Sequence, residues 1–419
     1  MSTESTPNEL RPAAADRAPA LPFGIFGVTF FLALHRGFFF SSDVVFFTSR
    51  GLSFAQFSLL EVVSSILIAL CEAPTGAIAD RYGRRLSVGI SCLMRSAIFA
   101  VLLATSSFGV IALSYALLGI AMTFQSGALN GWFASLCQKA GHESLEKPFL
   151  RLYHYQLAGA LGGGLLTAAL AGYGTGVVCM GAALSCLLAV VACAMTPDAS
   201  PQRSHGPEAD TGTPGARLRR VVMDLWTHNR EAAQYVAGSS ALRTVLIYKI
   251  IIILAACGTF KTWQPLMQAY FPDDALTVAG LSWSAFVLCS LGGNTLAGAL
   301  GWLSVRARLI LCGVMSGLPL LLAVGLPSGA LALSFWGLYI AFDAIKYPLL
   351  DAEVHENAPD THRSTVESLL SLVEGTLEIF GYLLIAAVAF SLSAVWPIIV
   401  GAALLHIISA AFVYIRWHK

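Results

Sequence analysis

The apolar residues of this chain come in stretches of the length that one bilayer crossing demands. A membrane helix needs about 20 consecutive apolar residues. Such stretches fall near 22–47, 54–79, 86–106, 110–136, 149–171 and 175–196, then near 243–267, 276–303, 308–326, 329–350, 365–389 and 393–415. Hydrocarbon has no water to satisfy a free backbone N–H or C=O, so stretches of this length cross as α-helices. The expected fold is an all-α membrane protein of twelve transmembrane helices, spans 1 to 12, in two six-helix halves.

The charge content agrees. Only 12% of the 419 residues are charged, about half of what a soluble domain uses to cover its surface. Lipid is therefore the solvent for most of the chain. A net charge of +1 argues against a nucleic-acid partner, which favours a strongly basic face. Residues 197–240 contain PDASPQRSHGPEADTGTPGARLRR, too polar to insert, and form a central loop between a first half at 22–196 and a second at 241–419. Residues 1–21 are polar and Pro/Ala-rich, which predicts a disordered tail with no cleavable signal. Nine cysteines include no CxxC pair, so neither a metal site nor a disulfide framework is expected. Cys179, Cys186 and Cys193 recur every seven residues and share one helix face, as small residues packed between helices do.

Lys and Arg set the orientation, because cytoplasmic loops retain them. Arg81, Arg84, Arg85, Lys139, Lys147, Arg203, Arg217, Arg219, Arg220, Arg306, Arg308 and Arg363 fall in one set of loops, and Arg50 and little else in the other. Both termini are expected in the cytoplasm.

The loop between spans 2 and 3 reads Gly76-Ala-Ile-Ala-Asp80-Arg81-Tyr-Gly83-Arg84-Arg85, which fits G-x-x-x-D-R-x-G-R-R at every defined position. Gly76 and Gly83 permit close helix approach and a tight turn. Asp80 is an anion suited to the positive end of another helix, and Arg84 and Arg85 can bridge to neighbouring helices. This segment resembles the signature loop of the major facilitator superfamily of secondary transporters. The preceding Glu72-Ala-Pro74-Thr resembles a subgroup of bacterial drug and metabolite transporters within it. The resemblance implies a latch that holds the cytoplasmic side shut, with Asp80 near the start of span 11. The alternative is that these charges only fix topology. The matching loop of the second half, Gly298 to Arg308, has two arginines and no acid. Ala158-Gly-Ala-Leu-Gly-Gly-Gly164 in span 5 faintly resembles a glycine-rich antiporter motif but lacks its proline, and close helix packing explains it equally well.

Ionisable residues inside a span are costly and mark function by default. Span 1 contains His35, Arg36 and Asp43; span 2, Glu61 and Glu72; span 3, Arg95; span 7, Lys249 and Lys261; span 10, Asp343 and Lys346; span 11, Glu374 and Glu378. At about 100° per residue, Arg36 and Asp43 face one way, as do Glu61 and Glu72. Asp343 and Lys346 are spaced to pair. Ser364-Thr-Val-Glu367 reads as a capping box, so Glu367 is expected at the inner surface. Arg95 is read as a structural partner of Glu61 or Glu72.

In the family, spans 1, 4, 7 and 10 line a central cavity, flanked by 2, 5, 8 and 11, and substrate binds between the halves. On that resemblance His35, Arg36, Gln125, Asn130, Lys249, Lys261, Asp343 and Lys346 are substrate-cavity candidates, with Ser126 and Trp132 beside them. Trp263-Gln264-Pro265 reads mainly as an interfacial anchor at the outer mouth. A carboxylate desolvated in a cavity can carry a proton near neutral pH; the candidates are Glu374, Glu378, Glu61 and Asp43, in that order. Charges of both signs suit a polar, zwitterionic or anionic small molecule. These readings predict proton-coupled export of a drug, siderophore or secreted metabolite from a bacterial cytoplasmic membrane by a monomer; the alternative is a symporter importing a polar nutrient. The sequence contains no HExxH, GxSxG or GxxxxGK[ST], so no enzyme, ATP or other cofactor is expected.

Overall fold

The structure, a computed structural model, describes residues 21–142, 144–199, 230, 233–358, 363–392 and 394–417. The expected tail, most of the central loop and the side chains of the Ser364–Glu367 cap lie outside what the structure describes. The helices are α1 (Phe23–Phe39), α2 (Asp43–Ser49), α3 (Phe54–Tyr82), α4 (Arg84–Ala104), α5 (Phe108–Thr123), α6 (Ala128–Lys139), α7 (Glu146–Ala169) and α8 (Gly176–Met195) in the first half. The second half contains α9 (Ser240–Phe260), α10 (Trp263–Tyr270), α11 (Ala275–Ala299), α12 (Val305–Gly325), α13 (Gly329–Asn357), α14 (Arg363–Leu392) and α15 (Trp396–Arg416). The described residues contain no strand. Ten spans among them are long and apolar enough to cross a bilayer, and the bent pair α1–α2 makes an eleventh. The 24-residue α7 falls short of that apolarity, since Glu146, Lys147, Arg151 and His154 crowd its first turns.

Local chemistry sets the ends. Ser53 Oγ accepts from the Gln56 N–H at 3.2 Å while Gln56 Oε1 accepts from the Ser53 N–H at 2.9 Å, a reciprocal cap that starts α3. Gly83, at φ +103°, separates α3 from α4, a conformation open to glycine and little else.

Three spans are interrupted among the described residues, α1–α2, α5–α6 and α9–α10, and the first and last of these breaks fall at corresponding places in the two halves. α1 and α2 meet at a 47° bend around Phe40–Ser42, and α9 stops at Phe260, two residues before α10 begins. The continuous face expected for Arg36 and Asp43 is therefore absent: the bend gives Asp43 a different direction, and the periodicity argument cannot cross it. Gln264 satisfies the backbone freed at the first break, donating to Phe40 O at 3.1 Å and accepting from the Val44 N–H at 3.0 Å. Interrupted spans in matching positions are where such folds place their binding sites.

Packing differs between the two ends. Near the breaks one continuous apolar core joins the halves, with Phe39, Phe46, Phe57 and Tyr115 from the first and Trp263, Phe286, Trp336 and Tyr339 from the second. At the end bearing the α3–α4 loop, each half has its own core: Phe26, Trp132 and Phe133 in one, Tyr248, Leu350 and Val413 in the other. The halves touch along α3–α14 and α7–α11. On the second seam Trp283 Nε1 donates to Ala160 O at 3.2 Å and Ser284 Oγ to Leu161 O at 3.0 Å.

The glycine run of α7 serves this packing. A Cβ on Gly163 would meet the Cα of Gly37 at 2.6 Å, and one on Gly164 would meet the backbone of Gly280 at 2.7 Å. One run thus fits α1 on one side and the opposite half on the other.

Candidate functional site

The breaks bring three ionisable side chains together. Lys261, just beyond α9, is 3% exposed and bonds Asp43 Oδ2. Its Nζ is also 3.5 Å from Glu61 Oε1, which accepts from the Tyr115 hydroxyl at 2.8 Å. Asp43, fully buried, takes a further bond from Gln264 Nε2 at 2.8 Å. The rings of Phe40 and Phe260 lie 4.8 and 4.9 Å from the ammonium. Two acids of one half thus share one lysine of the other, sealing the end where the cores merge. Removing a single partner of such a buried cluster leaves charge uncompensated, at a cost of about 3–5 kcal/mol.

Two further groups of ion pairs lie within the second half. Lys249 meets Glu374 at 3.0 Å and Asp351 at 3.3 Å. Lys346, fully buried, meets Asp343 at 2.7 Å and His406 Nδ1 at 3.0 Å. All three candidate lysines are therefore held by protein acids. Glu378 is different: it has no hydrogen bond or ion pair among the described residues, and it faces the space between the halves.

That space is flanked by neighbouring cavities that share wall residues with it. A cavity of about 450 Å³ between the halves is lined by Arg36, Glu61, Tyr115, Lys261, Trp283 and Glu378. Arg36 and Gln156 also line a neighbouring pocket of about 380 Å³ in the first half, to which Glu72, Arg95, Gln125, Ser126 and Asn130 contribute. Phe260 and Trp283 also line a neighbouring aromatic lobe of about 500 Å³ with Phe286, Trp336, Tyr339 and Asp343. Lys249, Glu374 and Tyr347 line a fourth lobe of about 250 Å³, joined by Glu378 and Tyr382.

Four expectations need correction. Arg95 pairs with neither Glu61 nor Glu72: Glu61 is held by Lys261 and Tyr115, while Glu72 accepts from Ser126 Oγ at 2.6 Å. Glu61 and Glu72 do share a face of α3, each bonded to a residue of the fourth span. Trp263 and Gln264 are no interfacial anchor; at 4% and 1% exposure they are buried, Trp263 packing edge-on against Phe286. His35, 2% exposed, lines none of these lobes; its Nδ1–H donates to Leu32 O, which leaves Nε2 to accept from Arg95 at 3.5 Å. Gly76 makes no close approach, since a Cβ there would meet nothing within 4 Å.

The gate motif is half engaged. Arg84 donates to Gly131 O at 2.8 Å and Ser135 Oγ at 3.2 Å, and Arg85 to Ala194 O at 2.9 Å, all within the first half. Arg81 stacks on Tyr82. Asp80 is exposed, with no hydrogen bond or ion pair among the described residues. Sequence reasoning passed over Tyr115, Gln156 and His406, ordinary residues in helix interiors. It also missed the paired breaks, although the polar Ser41-Ser42-Asp43 within an apolar span was a readable sign.

Comparisons with known proteins fit this geometry. A family model described as Major Facilitator Superfamily matches residues 25–381. A crystal structure of the nucleoside transporter NupG superposes with a TM-score of 0.74 at 12% identity, covering 96% of this chain and 100% of that one. A crystal structure of a D-xylose-proton symporter gives 0.66 at 14% identity, covering 94% and 96%. A POT family transporter in complex with 5-aminolevulinic acid gives 0.69 at 11%, covering 94% and 95%. At these identities the likeness is one of fold. No curated protein matches the chain.

Proposed function

This chain belongs to the major facilitator superfamily, and from that premise we propose that it is a proton-coupled secondary transporter of a polar small molecule, exporting it by alternating access across a bacterial cytoplasmic membrane. Twelve spans with both termini in the cytoplasm, acting as a monomer, complete the reading. On that topology the merged core and the Lys261 cluster lie on the outer side, and the described arrangement is inward-open. The free Asp80 agrees, because a cytoplasmic latch is released when that side opens. Asp80 and Gly76 then act in the opposite state, when the loop closes on the second half.

The observation that carries proton coupling is the charge count at the breaks: two carboxylates and one ammonium, buried together. Such a cluster is neutral with one proton on it, and a residual buried charge is costly. Glu61 is the assigned carrier, because it lines the central cavity and so has a route to the open end, whereas Asp43 lines none of the lobes. Lys261 belongs to the other half, so the outer side can part only when this contact is exchanged for water or a proton. Glu374 becomes a structural partner of Lys249, and Glu378 a cavity acid able to pass a proton between Glu61 and the open side.

Export rests on the resemblance of the Glu72–Arg85 segment to drug and metabolite exporters. The second reading, import by symport, is favoured by one similar structure being that of a D-xylose-proton symporter. Mass spectrometry of culture medium and cell extract, native host against deletion strain, separates them. A compound missing outside and accumulating inside supports export. A compound left unused in the medium supports import, and an unchanged profile counts against both.

A further inference from the structure

The first-half pocket holds more positive charge than the protein neutralises. Arg95 is 1% exposed, its Nε has no partner, and its polar contact is the acceptor nitrogen of His35. Arg36 lines both this pocket and the cavity between the halves, with no hydrogen bond or ion pair among the described residues. Glu72, the acid lining the same pocket, is bonded to Ser126 and forms no ion pair with either arginine. Gln125 Oε1 is likewise buried without a partner there. Leaving a buried guanidinium unpaired is costly, and carboxylates and phosphates match its donor geometry. The three lysines within the spans, Lys249, Lys261 and Lys346, are each paired with an acid, and these two arginines are not.

The other side of the same space is apolar and aromatic. Phe260 and Trp283 stand in the wall of both the Arg36 cavity and the neighbouring lobe of Phe286, Trp336 and Tyr339, which has room for a ring system. Resting on the transporter reading above, we infer that the substrate is an amphipathic organic anion: its carboxylate or phosphate head docks at Arg36 and Arg95, and its aromatic body lies against Trp283 and Trp336. The aromatic wall belongs to one half and the arginines to the other, so such a molecule spans the interface that rocks.

The test is equilibrium binding to the purified full chain in nanodiscs, read by tryptophan fluorescence and calorimetry. The probes are 3-phenylpropionate, phenyl phosphate, the neutral 3-phenylpropionamide and the cation phenethylamine. At least one acid is expected to bind saturably, roughly tenfold or more tighter than the amide, as a charge-assisted hydrogen bond provides. In Arg36→Gln its affinity should drop to that of the amide, whose own affinity is unchanged; the stronger acid identifies the head group. Arg95→Gln should do the same, and Arg36→Gln, at a half-buried site without partners, decides the matter if Arg95→Gln does not fold. Equal binding of acid and amide, tighter binding of the amine, discrimination that survives in Arg36→Gln, or no saturable binding of either acid overturns the proposal. The coupling reading fails separately: Arg36-dependent anion binding without ΔpH-driven flux removes the proton and leaves the anion site.

Discussion

Replacing Lys261 with Met should release the closed end. Lys261 is the contact by which the second half neutralises Asp43 and Glu61 of the first, and all three are buried or nearly so. Without the ammonium, Asp43 keeps its bonds from Gln264 and the Val44 N–H, but no cation remains beside it. The penalty for one stranded buried charge is about 3–5 kcal/mol. It applies to the closed arrangement, because water solvates both acids once the halves part. The equilibrium should therefore move roughly 100-fold or more toward opening at that end. Spin labels on Ser49 and Asp273, exposed positions at the end of α2 and just after α10, report it by pulsed dipolar spectroscopy. Lys261→Met should lengthen the distance distribution, and adding Asp43→Asn should restore most of the short population by removing the stranded charge. An unchanged distribution in the single variant, in protein that is folded by circular dichroism, would refute the reasoning.

Further outcomes can be checked independently. Asp80→Asn should abolish transport yet shift stability by no more than about 0.5 kcal/mol, as expected of an exposed side chain without partners; normal flux in the expressed variant would remove the latch. Glu374→Gln breaks a pair inside one half, so uphill transport driven by ΔpH should persist, and its loss would return the proton to the fourth lobe. Gly163→Leu forces a side chain against Gly37 of α1 and should cost at least about 1–3 kcal/mol, seen as a lowered unfolding temperature in detergent; an unaltered midpoint would contradict the close α1–α7 contact.

Much of the fold was legible because lipid imposes a simple rule on length and polarity, and the turn at Gly83 was legible because few other residues adopt φ +103°. The α7 helix was harder: its charged first turns dilute the apolar signal that its packing against α1 and α11 makes tolerable. The acids, lysines and arginines of the site were visible as charges out of place in lipid, whereas Tyr115 and His406 were not. Their partnerships were not. Lys261 and Asp43 are 218 residues apart, and nothing local says that two helix breaks will face each other. Arg95 meets no acid of the protein; its polar contact is the neutral ring nitrogen of His35, a pairing that no spacing rule announces. Gln264 looked like part of a mouth anchor, whereas its amide matches the broken backbone of α1–α2 and could only be placed in three dimensions.

The central claim, that Glu61 carries the coupled proton through this cavity, is tested most directly by flux in proteoliposomes of the compound identified by the deletion strain. Wild-type protein should move it against its gradient when ΔpH is imposed, and a protonophore should abolish that. Glu61→Gln should keep downhill exchange and lose the uphill component. Uphill movement surviving in Glu61→Gln, or wild-type flux indifferent to ΔpH, would contradict the account.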